Sequence, residues 1–421
     1  MRTRQRSGSR HSPDRVADHR QNDLVPTLST PTLPFDHTPN EVESRSELDS
    51  HLLAGTLAGL TVQGVRLDLH WPADLTTADV TGTLFIGCRL PSVDVGADLV
   101  RRGAFVVPDL PGLPYQVQPA QLYRPEDLAD GFDRDGFAGM VDTLIYQHFV
   151  ASGGALPAAR EALTQRMHDH GVDNALTDTL TEWVAAGGGP VVGIMGGHAV
   201  ARGSDGYRAA AAIGHGLAAG GCLVVTGGGP GVMEAANLGA YFGADDRGRL
   251  DQAIELLATV PHFTDHDRYT QLALRVRAGA PRQPVGPLGW ATAGGLSVPT
   301  WLYGHEPANL FAARIAKYFS NAIREDVILR LSRGGIIFAP GKAGTVQEVF
   351  QAATKSFYAT DGASGPFVFI GERYWTETLP VATLLTPVLA QSPTGDLAGL
   401  VRITDDPDEA VRIILAHHTP R

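Results

Sequence analysis

The sequence predicts an α/β protein whose second half is an open parallel sheet with helices on both faces. Three observations carry this prediction. Between Val191 and His417, short apolar runs alternate with helical stretches about seven times, the pattern of parallel strands joined by crossover helices. Two of the runs end in glycine-rich turns that open a helix, at Gly227–Gly231 and at Pro340–Glu348. The first half shows the same β-α-β rhythm over a shorter span.

Residues 1–48 are polar, charged and punctuated by proline, and are expected to be a disordered tail. A smaller α/β domain of unassigned role is expected over residues 49–185. In it, Leu60–Leu69 alternates apolar and polar residues like a half-buried strand. Thr83–Cys88 and Ala104–Val107 read as buried strands around an amphipathic stretch, Val93–Arg102. Met140–Trp183 reads as helical, with Leu144, Phe149, Leu163, Met167 and Leu176 among its apolar positions; Tyr146 and His148 there read as packing and surface. Ala185–Pro190 (AAGGGP) is a candidate linker.

The third domain, residues 186–421, begins with strand Val191–Met195 and a helix over Tyr207–Ala219. Strand Leu223–Thr226 then leads to a helix from Gly231, followed by strand Leu256–Val260. Ala278–Gly295 reads as an insertion or lid. Next come strand Leu296–Trp301, a long helix or helix pair over Pro307–Leu331, strand Ile336–Ala339 and a helix over Thr345–Phe357. Strand Phe367–Ile370, helix Leu379–Leu389, strand Leu400–Thr404 and helix Pro407–His417 complete a Rossmann-like doubly wound sheet.

Bulk properties narrow the function. The 421 residues suffice for two domains and a tail, and 43% hydrophobic with 19% charged residues is ordinary for a globular chain. A net charge of -11 argues against broad nucleic-acid binding. A small anion is still accepted, because helix N-terminal amides need no net positive charge. Cys88 and Cys222, the two cysteines, lie in apolar runs and exclude a disulfide scaffold. No apolar stretch approaches the roughly 20 residues that span a bilayer. The Arg-rich start MRTRQRSGSRHSPDR lacks the apolar segment of a secretory signal. A cytoplasmic, soluble protein is expected, without membrane or nucleic-acid partners.

In the first turn, Gly227, Gly228, Gly229 and Gly231 directly follow an apolar strand. Glycines let the backbone approach a ligand without Cβ clashes, and the next helix aims its unpaired amides at that point. A phosphate is the natural occupant. Val232 stands where the dinucleotide fingerprint requires glycine, which disfavours a dehydrogenase. The second turn fails the Walker A pattern, because Ile336 and Ala343 occupy its glycine and Ser/Thr positions. Thr345 and Glu348 fit a capping box, with Thr345 capping the helix and Glu348 reaching back. Arg324, taken alone, reads as a surface arginine paired with Glu325 or Asp326.

Together the two turns resemble a known family. GGGPGVMEAANLGA at Gly227–Ala240 and PGKAGTVQE at Pro340–Glu348 are similar to the first and second motifs of the LONELY GUY (LOG) phosphoribohydrolases, formerly labelled lysine decarboxylases. Met233–Ala235 is closer to the bacterial nucleotide 5′-monophosphate nucleosidases of that superfamily. Gly196 and Gly197 after the first strand, Tyr207 on the next helix and the terminal LVRITDDPDEAVRIIL agree. The likeness covers roughly Pro190 to His417.

It implies hydrolysis of a nucleoside 5′-monophosphate to free base and ribose 5-phosphate, with no cofactor or metal, in a homodimer or larger homo-oligomer. It implies catalytic roles for Glu348 and for an arginine fifteen residues before the motif proline. That position is Glu325; Arg324 is one residue further back, and the role is carried to it. Substrate binding is expected of Gly196, Gly197, Thr226, Gly227, Gly228, Gly229, Gly231, Met233, Glu234, Pro340, Gly341, Lys342, Gly344 and Thr345. Lys342 departs from the motif, which has glycine there. It either impairs a backbone that needs positive φ or supplies a cation to the phosphate. A non-catalytic nucleotide sensor is the alternative function. A metal site at His262, Asp265, His266 and Asp267 is a weaker third reading, and His305-Glu306 is a candidate ligand contact or a structural turn.

Overall fold

The computed structural model describes residues 40–108, 110 and 112–418. Most of the expected tail therefore lies outside the described residues, but its last part is structured. Glu41–Val42 is strand β1, and Ser44 caps the helix Arg45–Leu53 in a reciprocal box with Glu47. β2 (Thr61–Gln63), β3 (Leu84–Cys88) and β4 (Phe105–Pro108) follow it in a four-stranded parallel sheet of order β1-β2-β3-β4. Leu48, Val62, Leu67, Phe85 and Leu99 centre its core. The strand expected over Leu60–Leu69 shrinks to three residues, because Gly64 turns into the left-handed region at φ 68°.

Two helices, Val141–Ala151 and Ala159–Ala185, fill the helical stretch. Phe149, Met167 and Leu176 are buried, whereas Leu144 and Leu163 face solvent. The longer helix sends Val172, Leu176, Leu180 and Trp183 into the core of the second sheet. Its end turns tightly into that sheet: Trp183 Nε1 donates to Gly189 O (2.9 Å) and Gly188 lies against the indole ring.

The second sheet has seven parallel strands: β5 (Val191–Met195), β6 (Leu223–Thr226), β7 (Leu296–Ser297), β8 (Arg314–Ile315), β9 (Ile336–Phe338), β10 (Phe367–Ile370) and β11 (Val401–Thr404). Their order is β11-β10-β9-β5-β6-β7-β8. The chain thus winds outward from β5 to β8, returns to β9 beside β5, and winds out the other way. This is a doubly wound, Rossmann-like α/β fold with both faces covered. Alternate residues feed two cores. Ile194, Val224, Ile337 and Val368 face one layer, and Met195, Val225, Phe338 and Phe369 the other. That is why the strands read as unbroken apolar runs.

The number of strands agrees with expectation, but one member does not. Leu256–Val260 ends a helix, Arg247–Leu257, whose buried Leu250, Ala253, Ile254 and Leu257 keep helical spacing. The seventh strand is β8, inside the stretch read as helix; Ile315 also bridges Tyr123 of the first half on its outer side (N···O 2.8 and 3.1 Å). Only Asn321–Leu331 of that stretch is regular helix. β7 stops at Ser297 because Pro299 interrupts it, and Trp301–Tyr303 is a 3-10 turn. The stretch Ala278–Gly295 is not a lid over the cleft. Its Trp290 is buried edge-on against Trp183 (centroids 5.6 Å apart).

Candidate functional site

The order of winding reverses between β5 and β9, so their connections leave on opposite faces and the carboxyl ends of the strands part. A cavity of about 400 Å³ opens there, at the switch point where such sheets bind ligands. Gly196 and Gly197 after β5, Gly227–Gly229 after β6, Pro299 and Thr300 after β7, and Lys342, Gly344 and Thr345 after β9 all line it. Met233, Arg324, Glu325 and Glu348 complete this part of the wall.

The first turn is braced from behind. Thr226 Oγ1 accepts from Gly228 N (3.1 Å) and donates to Asn237 Oδ1 (2.6 Å), and Asn237 Nδ2 donates to Gly294 O (2.6 Å). Gly231 sits at φ 70°, and a Cβ there would strike Gly197 O. At Gly227 a Cβ would overlap the Arg324 guanidinium. This glycine therefore makes room for the arginine.

Arg324 is not a surface residue. It is buried, and its Nε donates to Val298 O (2.8 Å) and its Nη2 to Gly227 O (3.2 Å). Nη1 lies 3.8 Å from Glu348 Oε1. Glu325, at the position the motif spacing indicates, instead accepts from Asn321 and Gln347. The helix direction places Arg324 on the inward face.

The capping box expected at the second turn is absent. The helix Ala343–Tyr358 starts before Thr345, with Lys342 as its N-cap in an extended conformation (φ -113°, ψ -154°) and no side-chain cap. Its leading amides therefore have no side-chain acceptor from the cap, and Glu348 sits in the second turn, facing the cavity. Burial pushes the Glu348 carboxyl up to about 7; Arg324 opposes this shift and Glu325 adds to it. Lys342 adopts an ordinary φ, so the lysine imposes no backbone strain. Its exposed side chain lines the cavity.

Five of the expected binding residues do not line the cavity. Thr226 and Gly231 shape the first turn from behind. Pro340 O accepts from Gly197 N (3.1 Å) and Gly341 O from Tyr374 Oη (2.6 Å), so both hold the second turn in place. Glu234 points away: it is buried against Arg202 and accepts from the Tyr269 hydroxyl, with the Arg202 guanidinium over the Tyr269 ring. One residue along a helix is a rotation of about 100°, so Met233 faces the cavity and Glu234 the interior.

Other lining residues had no sequence motif. His198 Nδ1 lies 2.6 Å from Glu306 Oε1, which places Glu306 of the flagged His305-Glu306 pair in the wall beside His305. Lys317 is buried and pairs with Asp142 (2.6 Å), which also accepts from Trp301 Nε1 (3.0 Å). The signal at Lys317 was hidden because its segment reads as helix. Among the described residues no group of three or more His, Cys, Asp or Glu is placed to hold a metal ion. Asp265 caps the helix His266–Gly279, Asp267 accepts from Phe137 N (2.7 Å) and His266 stacks on Phe137.

Compared with models of known families and with curated proteins, the chain matches none.

Proposed function

We propose that this cavity hydrolyses the N-glycosidic bond of a nucleoside 5′-monophosphate, releasing free base and ribose 5-phosphate. The observation that carries this reading is the placement of Glu348. Its carboxyl is largely buried, with the side chain 13% exposed, is pushed up to about 7, and lies 3.8 Å from a buried arginine between two glycine-rich helix openings.

The phosphate binds at the opening of the helix Ala343–Tyr358, where Gly344, Thr345 and Lys342 supply amides, a hydroxyl and a cation. Glu348, one turn further on, then faces the sugar. As the C1′–N bond lengthens, positive charge grows on the ribose ring, as in other glycoside cleavage. The Glu348 carboxylate stabilises that charge and takes a proton from the attacking water, whose oxygen bonds to C1′. The bonding electron pair leaves with the base, which acquires a proton. Arg324 holds the carboxylate in position and keeps part of its population ionised near neutral pH.

The test is release of free base from AMP, GMP, CMP and UMP by the wild type and by Glu348→Gln. We expect turnover in the wild type, a loss of 10²-fold or more in the variant, and nucleotide binding retained in both. Binding without base release by the wild type would establish a nucleotide sensor instead.

The same reading makes the protein cytoplasmic and at least dimeric. The free, buried Cys88 and Cys222 and the lack of any described helix long and apolar enough to cross a membrane support the location. Exposed Phe350, Leu384 and Val388, on two helices that pack together, support an interface with a second copy.

A further inference from the structure

We propose that the preferred base is of the guanine type, one that presents two adjacent N–H donors on a single edge, and that Glu306 selects it. This rests on the hydrolase reading, which leaves the base open.

The first turn orders the cavity. At Gly227 an added Cβ would meet Arg324 and Met233, whereas at Gly229 it would meet Met233 and, at 3.1 Å, Glu306 Oε2. The wall therefore runs from the Arg324–Glu348 pair, past Met233, to Glu306. A phosphate on the second turn and a ribose at Glu348 direct the base along this line. Met233, Pro299, Tyr303 and Pro307 give the same cavity apolar lining.

Glu306 stands at the far end with its side chain 10% exposed. Its Oε1 is anchored by His198 Nδ1, and its Oε2 lies over the turn at Gly229. Two other polar residues of the cavity lining have partners of their own. Lys317 is held by Asp142, and Thr300 Oγ1 accepts from Leu302 N.

A carboxylate only accepts hydrogen bonds. Guanine offers N1–H and the exocyclic 2-amino N–H side by side, so both meet an acceptor. Adenine and cytosine set an amino donor beside a ring nitrogen lone pair, and uracil flanks its one N–H with carbonyls; each would press a lone pair against the carboxylate. Glutamine at this position offers one acceptor and one donor, which matches the adenine edge. The selection is thus predicted to reverse with a single atom exchange.

The experiment measures binding of GMP, IMP, AMP, CMP and UMP by calorimetry in the Glu348→Gln background, with Glu306, with Glu306→Gln and with His198→Ala. GMP should bind at least tenfold more tightly than AMP, with IMP between them. Glu306→Gln should reverse the GMP-to-AMP order, and His198→Ala, which releases the carboxylate from its anchor, should shrink the GMP preference. Monophosphates that bind without base preference, or a preference that Glu306→Gln does not move, overturn this inference and leave the hydrolase reading standing. Failure of every monophosphate to bind, together with no base release by the wild type, overturns both.

Discussion

Glu348 carries a cost that can be measured apart from catalysis. Its folded carboxyl stands at about 7 against an ordinary 4.5, so the folded state favours the proton more than the unfolded chain does. The corresponding stability is fully present below pH 4.5 and is lost as pH rises through 7. The loss is on the order of 3 kcal/mol at pH 8. Glu348→Gln cannot ionise, so its thermal midpoint should exceed that of the wild type at pH 8, and the gap should close near pH 4.5. A constant gap across this range would refute the buried, titrating carboxyl. Under the proposed hydrolysis the sign differs for activity, because there the carboxylate is the working form: kcat/KM should fall as pH drops below about 7. Arg324 opposes the upward shift, so Arg324→Gln should move that limb to higher pH, besides slowing the reaction. A limb that stays in place would show that the arginine does not act on Glu348.

At the scale of the element, the helices that follow the two glycine turns divide their residues between a wet face and a dry one. On the helix Val232–Tyr241, Met233 reaches the cavity while Glu234 is sealed against Arg202 and Tyr269. Truncating one partner of a buried ion pair leaves an uncompensated charge, at about 3–5 kcal/mol. Glu234→Ala should therefore lower the denaturant midpoint strongly, yet leave KM nearly unchanged in the protein that remains folded. A large rise in KM with normal stability would return Glu234 to the binding residues. Both turns were visible in the sequence, since clustered glycines between an apolar run and a helical stretch have few other uses. Which residues of each turn face the ligand was not visible. Thr345 matched a capping signature, but the extended backbone of Lys342 begins the helix first.

At the scale of the molecule, the first half takes part in the second. The helix Ala159–Ala185 covers one face of the seven-stranded sheet with Leu176, Leu180 and Trp183, and Asp142 holds Lys317 at the cavity wall. A chain beginning at residue 186 would expose that face and leave Lys317 buried without Asp142. It should lack a cooperative thermal transition and bind a hydrophobic dye. A cooperative, nucleotide-binding fragment from residue 186 would contradict this. Local chemistry by itself determined the α/β class, six of the seven strands of the larger sheet and the two turns. Each depends on residues adjacent in the chain: apolar runs that must be buried and glycines that admit a backbone no other residue takes easily. Only the tertiary structure decided that β8 rather than Leu256–Val260 joins the sheet, that Arg324 and not Glu325 faces Glu348, and that His198 meets Glu306. Those choices depend on contacts between residues far apart in the chain, and so does the desolvation that sets the Glu348 carboxyl. A one-dimensional pattern does not encode which side of a helix faces inward until the sheet is there to pack against.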